Sequence, residues 1–229
     1  MTAIRCALIA ITAGAGCAWG PGGSFGEFTA QLDARYQLAP GRDTGDGWQR
    51  LASDYQVRVT IAAWTTSSLA LLPGAEGAGP AAPVLELPTG ALDLIAAQPL
   101  ALACGGEPCE LGLGSIERAE LEVTGVSLAG TVRDGQKPER RPQATFTMSA
   151  ALAQPVRLTG ALELPVDRAS PPRIQLSVGA HPGAELFDGV DWTALPAGAI
   201  DLAAAPAARA AITTALGQVE LALDVDRSD

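Results

Sequence analysis

The stretch that decides the fold is residues 117–180, ERAELEVTGVSLAGTVRDGQKPERRPQATFTMSAALAQPVRLTGALELPVDRASPPRIQLSVGA. Apolar side chains recur at every second residue through most of it, and mainly polar or small side chains fill the positions between them. This period of two is typical of β-strands with one buried face and one face toward solvent. The stretch therefore predicts successive strands of a sheet.

The alternation changes phase at Gly125. Before it the apolar residues fall on odd positions, as Leu121 and Val123 do, and after it they fall on even positions, as Val126 and Leu128 do. A phase change of one residue would normally turn the apolar face toward water. An extra residue in a β-bulge restores the face, so the sequence predicts a bulge at Gly125.

Turn-like connections divide the stretch into four half-buried segments, and this pattern predicts an antiparallel meander. A sheet with one apolar face needs a second layer to cover it. Similar alternation elsewhere raises the expected number of strands to about ten. Pro206 and Gly217 bracket an Ala-rich segment, which predicts one short C-terminal helix over residues 207–216. We therefore predict an all-β fold, an antiparallel β-sandwich of the immunoglobulin-like or a related two-layer type. The additional expected strands lie at residues 28–38, 55–61, 69–72, 85–87, 100–103 and 219–225.

Composition limits the partners of the chain. Its 229 residues are 48% hydrophobic, enough for one large core, and we assign residues 25–229 to a single domain. The formal net charge is −10, and Lys137 is the only lysine. Such an acidic chain is repelled by phosphate backbones and by anionic lipid headgroups. The basic pair Arg140-Arg141 is too short to reverse this, so we predict no nucleic-acid partner.

The N-terminus has the layout of an export signal, with Arg5 followed by a short apolar stretch that is too short to span a bilayer. Residues 13–17, AGAGC, resemble the end of a bacterial lipoprotein signal, in which the cysteine becomes the lipidated N-terminus. The resemblance covers residues 1–17 and implies a signal peptide over residues 1–16 and a lipid on Cys17. Gly14 stands where a larger apolar residue is typical, so ordinary cleavage near Ala15 or Ala18 is the alternative.

Residues 17–24 then form a Gly- and Pro-rich tether. Together these features predict an exported protein of a bacterial cell envelope, in the periplasm or at the outer membrane, attached to a membrane through its lipid.

Cys104 and Cys109 flank a Gly-Gly-Glu-Pro turn. In an exported chain such a pair is expected to form a disulfide, because the compartment is oxidising. A zinc site would need further soft ligands, and the chain offers a single histidine, His181. We predict no metal and no cofactor.

Candidate catalytic residues cluster after the last strand of the stretch. A serine hydrolase needs a base histidine, for which only His181 is available. Asp188, Asp191 and Trp192 follow it and form an acidic and aromatic cluster. The alternative interpretation is a tight turn that buries Phe187 and Trp192 while the aspartates accept local backbone hydrogen bonds. We favour this alternative and assign no catalytic residue.

The favoured function is a non-catalytic binding or structural role at the envelope. A hydrolase with a site near His181, Asp188 and Asp191 is the first alternative. A calcium-stabilised surface or adhesion module is the second, with carboxylates of residues 43–47 and 224–226 as candidate ligands.

Overall fold

The computed structural model describes residues 27–73, 84–87, 90–96, 98–104, 114–166 and 173–228. These ranges contain eleven strands, one α-helix and two 3-10 helices, at Ala184–Phe187 and Trp192–Ala194. The predicted signal peptide, its tether, Cys17 and Cys109 lie outside the described residues. The elements are β1 (Glu27–Ala34), β2 (Gln49–Arg50), β3 (Tyr55–Pro73), β4 (Val84–Glu86), β5 (Ala91–Asp93), β6 (Leu100–Cys104), β7 (Gly114–Asp134), β8 (Ala144–Val166), β9 (Arg173–Ala180), β10 (Ile200–Asp201), α1 (Pro206–Leu216) and β11 (Leu221–Ser228).

The described strands form one mixed sheet in the order β10-β8-β7-β3-β4-β6-β1-β9-β11, and β2 and β5 also pair with β3. The all-β prediction is confirmed. The antiparallel meander is right for β7 and β8 and wrong for β9, which pairs in parallel with β1 and places Leu32 opposite Val178. Parallel pairing aligns the two apolar faces as well as antiparallel pairing does, so alternation within one strand cannot specify the partner.

Three long strands dominate the sheet. β3, β7 and β8 contain 19, 21 and 23 residues, and β7 pairs with β3 on one side and with β8 on the other. The sequence predicted two separate strands within β3 and two within β8. In both cases the apparent break is a register shift inside one strand, near Thr66 in β3 and between Ala151 and Val156 in β8.

The predicted bulge at Gly125 is confirmed. Opposite β3, Gly125 pairs with Thr65 and Val123 pairs with the next residue, Thr66, which leaves Thr124 as the extra residue. Val123 and Val126 are both buried although their positions have opposite parity. The bulge therefore keeps the apolar face of β7 continuous.

The predicted helix is also confirmed, because α1 begins at Pro206 and is followed by Gly217. Ala208, Ile212 and Leu216 are buried and recur every four residues, so they form one stripe. The helix packs against the first 3-10 helix and β8. Among the described residues, no helix combines the length and hydropathy needed to cross a lipid bilayer.

The sheet curls, so that β11, at one end of the strand order, approaches β8 near the other. At Gly160 of β8, a Cβ atom would lie 2.5 Å from the backbone oxygen of Leu221. This close approach requires glycine. At Gly41 a Cβ atom would meet no other atom within 4 Å.

We therefore expect Gly160→Ala to lower the free energy of unfolding by about 1–3 kcal/mol, because β11 must shift away from β8. Gly41→Ala is the matched control and should change stability by less than about 1 kcal/mol. Urea unfolding followed by circular dichroism measures both. Equal stabilities for the two variants would contradict the close approach of β8 and β11.

Candidate functional site

A cleft of about 270 Å³ lies beside the end of β9. His181 directly follows β9, Glu185 belongs to the first 3-10 helix, and the remaining lining residues lie in the last turn of α1 and in the connection to β11. Among the described residues, the lining contributes two carboxylates and one imidazole, and it contributes no hydroxyl or thiol. The lining residues are His181, Glu185, Ala215, Gln218, Val219 and Glu220.

The parallel pairing of β1 with β9 places His181 beside Asp33. The Nε2 atom of His181 lies 3.5 Å from Oδ2 of Asp33, a distance suited to an ion pair. Asp33 also accepts hydrogen bonds from Arg35. The Arg35 guanidinium is the main cause that lowers the pKa of Asp33, and His181 adds to the effect. Asp33 thus lies beside the imidazole at the edge of the cleft, and Nε2 of His181 has no hydrogen-bond partner among the described residues.

Glu185 is held by the backbone, because the amide of Gly183 donates to its Oε1 atom at 2.6 Å. The neighbouring Tyr36 is mostly buried and donates its hydroxyl proton to Oε1 of Gln49 at 3.1 Å. Burial is the main cause that raises the pKa of Tyr36, and the Glu185 carboxylate adds to it. The raised pKa keeps Tyr36 protonated, as its hydrogen bond to Gln49 requires.

Asp188 lies away from the cleft lining and joins two distant parts of the chain. Arg42 donates to both of its carboxylate oxygens at 2.8 Å, and the amide of Ala52 donates to Oδ1 at 2.8 Å. These are charge-assisted hydrogen bonds in the bidentate geometry that arginine and carboxylate favour. The sequence interpretation expected local donors for Asp188, and this detail was wrong.

Asp191 and Trp192 confirm the structural interpretation of their cluster. Oδ1 of Asp191 accepts hydrogen bonds from the amides of Thr193 and Ala194, so it caps the second 3-10 helix. The Thr193 hydroxyl is the main cause that lowers the pKa of Asp191. Trp192 is buried against Phe146 and Phe187, with ring centroids 5.6 and 6.3 Å away. Of the three predicted hydrolase residues, only His181 lines the cleft.

The sequence analysis missed the role of Arg141, which is buried. Its Nη1 and Nη2 atoms donate to the carbonyl oxygens of Trp192 and Pro196. The guanidinium thus fixes the segment that follows the aspartate cluster. Burial of one residue in the basic pair Arg140-Arg141 carries no local sequence signal, because polar residues surround it.

Arg140 forms an ion pair with the buried Asp134. Its backbone amide, Nε and Nη2 all donate to Asp134, whose side chain is completely buried. The Arg140 guanidinium also lies 4.3 Å above the ring of Tyr55. Hydrogen bonds from Arg140 are the main cause that holds the pKa of Asp134 far below its ordinary value of 3.8.

The candidate calcium ligands have other partners or stand apart. Oδ1 of Asp43 accepts the amide hydrogen of Gly45, as expected for a tight turn. Within the part of the chain that the structure describes, no three His, Cys, Asp or Glu side chains converge as a metal site would require. The candidates at residues 43–47 and 224–226 are therefore not joined into one ligand set.

Comparison with protein-family models, with curated proteins and with solved structures found no match for this chain. Its function must therefore be argued from its own residues.

The buried Asp134 predicts a defined acid dependence of stability. A carboxyl group with a depressed pKa stabilises the fold above its unfolded-state pKa, and this contribution is lost as the pH falls through the folded-state pKa. We expect wild-type stability to decline as the pH falls below 3.8. Asp134→Asn should cost about 2–3 kcal/mol at neutral pH and should flatten the decline.

Thermal melting of both proteins between neutral and strongly acidic pH measures this effect. Asp226→Asn, at an exposed position of β11, is the matched control and should melt as the wild type does. An Asp134→Asn variant with wild-type stability at neutral pH would contradict the assignment.

Proposed function

We propose that the protein is an exported, lipid-anchored protein of a bacterial envelope with a non-catalytic binding or structural role. The observation that carries this proposal is that the aspartates that follow β9 are engaged in contacts that hold the fold. Asp188 is neutralised by Arg42, and Asp191 caps the second 3-10 helix. Groups committed to holding the fold are poor candidates for proton transfer, because changing their ionisation would cost stability.

The curled sheet acts as two facing layers, as in the predicted sandwich. Support comes from an apolar cluster that joins described strands distant in the sheet order. Leu32 of β1 and Leu176 of β9 belong to the same cluster as Leu121 of β7 and Leu158 of β8, and all four are at most 1% exposed. Such a scaffold is rigid and presents its loops at the ends of the layers.

The N-terminal sequence supports attachment of this scaffold to a membrane. The lipoprotein-like residues 13–17 and the tether at residues 17–24 support an anchor on Cys17. The Cys104–Cys109 disulfide belongs to the same proposal, because it requires an oxidising compartment. Cys104 is the last residue of β6, and Cys109 lies outside the described residues.

A hydrolase is the second candidate function, and the pairing of His181 with Asp33 favours it. An imidazole beside a carboxylate can act as a general base toward a water molecule. This candidate ranks second because the described residues that line the cleft include no serine, threonine or cysteine.

Mass spectrometry of the native protein tests the envelope proposal. We expect a mature chain that begins at Cys17 and is heavier than its polypeptide by a lipid, with two cysteines that resist alkylation until they are reduced. Cys17→Ser should remove the added mass and release the protein from the membrane fraction. Cys6→Ser is the matched control, because residue 6 leaves with the signal peptide. An unmodified Cys17 in a protein released from the membrane fraction would contradict the anchor.

A further inference from the structure

An arginine cluster occupies the outer face of the sheet where β3 begins and β7 ends. We propose that Arg50, Arg58 and Arg133, assembled around Trp48, bind a tetrahedral oxyanion such as a phosphate group. This site is separate from the His181 cleft and does not depend on the lipid anchor. The proposal rests on the position of the three guanidinium groups, on the contacts that hold them, and on their lack of neutralisation.

Strand pairing brings the arginines together. Gln56 of β3 lies opposite Arg50 of β2 on one side and opposite Arg133 of β7 on the other. Residues directly opposite in antiparallel strands place their side chains on the same face of a sheet. Arg58 lies two residues beyond Gln56 on β3 and therefore shares that face. Three arginines on three adjacent strands thus form one patch.

Two of the guanidinium groups are held in place. The Cζ atom of Arg133 lies 4.1 Å from the centroid of the Trp48 ring, and that of Arg58 lies 5.1 Å from it. Trp48 is only 5% exposed, so the indole is a fixed support. Nε of Arg133 also donates to Oε1 of Gln56 at 2.7 Å. Stacking on an indole leaves the N–H groups at the edge of a guanidinium free for a ligand.

No carboxylate of the described residues neutralises the arginine cluster. Among the described residues, no carboxylate oxygen lies within 4.0 Å of the guanidinium nitrogens of Arg50, Arg58 or Arg133. Asp134 is adjacent to Arg133 in sequence, yet it points to the opposite face and is taken by Arg140. This contrasts with Arg35, Arg42, Arg118, Arg140 and Arg157, which each pair with an acid.

Three neighbouring positive charges repel one another, and a bound anion would remove that cost. The chain has a net charge of −10, so an isolated basic patch is an exception to its general charge pattern. A phosphate group fits better than a carboxylate. It carries up to two negative charges and offers oxygens to more than one arginine fork, whereas a carboxylate neutralises a single charge. A soluble phosphate compound and a lipid headgroup share this chemistry.

Isothermal titration of the full chain with inorganic phosphate at low ionic strength tests the site. We expect wild-type binding with a dissociation constant of about 1 mM. Arg58→Gln and Arg133→Gln should each weaken binding about tenfold or more, as expected when one charge-assisted contact is lost. Arg209→Gln is the matched control, because it removes the same charge from an exposed position of α1 and should bind as the wild type does.

Melting curves of the variants separate binding from folding. Arg58 is exposed, so Arg58→Gln decides the test even if Arg133→Gln fails to fold after losing its contact with Gln56. Equal weakening of phosphate binding by Arg58→Gln and Arg209→Gln would overturn the proposal, because the loss would then follow the net charge and not the cluster.

A second experiment distinguishes the two sources of the phosphate group. The Cys17→Ser protein is mixed with phosphatidylcholine vesicles that contain or lack phosphatidylglycerol, so that no anchor contributes. Binding only to the vesicles with phosphatidylglycerol, lost in Arg58→Gln, identifies a headgroup site. Binding of free phosphate without vesicle binding identifies a soluble ligand. Failure of both experiments refutes the oxyanion site.

Discussion

The structure depends on the pairing of β7 with β3 on one side and with β8 on the other. Each long strand is stabilised by backbone hydrogen bonds only where its neighbour continues, so the length of one strand determines the length of the others. The inward side chains of β7 are buried on both sides of its bulge, from Ala119 to Val132. Buried side chains of β1, β9 and α1 belong to the same apolar cluster as those of β7.

The features that the sequence predicted are those that depend on residues close together in the chain. The phase change at Gly125 and the Pro206–Gly217 bracket are local, and both outcomes agreed with prediction. The partner of β9 was not predictable in this way, because its alternation suits several neighbours. The polar residues near Thr66 also concealed the continuity of β3, because a bulge and a turn have similar local sequences.

The same difference between local and long-range features applies to the candidate site. Capping by Asp191 and burial of Trp192 follow from a short segment, and the sequence interpretation anticipated them. The contact of Arg42 with Asp188 joins residues 146 positions apart, so no local pattern reveals it.

The arginine cluster depends on how the loop before β2 folds over β3. Gly45 and Gly47, both with positive φ, are the sequence signal that this loop turns tightly.

The charges of the described chain thus divide into those that hold the fold and those that remain available. Asp134, Asp188 and Asp191 have internal partners, whereas the arginine cluster and the His181 cleft face solvent. The arginine cluster and the His181 cleft both depend on strand pairing for their geometry.

Amide hydrogen exchange of the full chain tests the central position of β7 most directly. We expect the backbone amides of residues 119–132 in β7 to exchange more slowly than those of β11, because β7 is paired with a strand on each side. Exchange of β7 as fast as that of β11 would contradict the account.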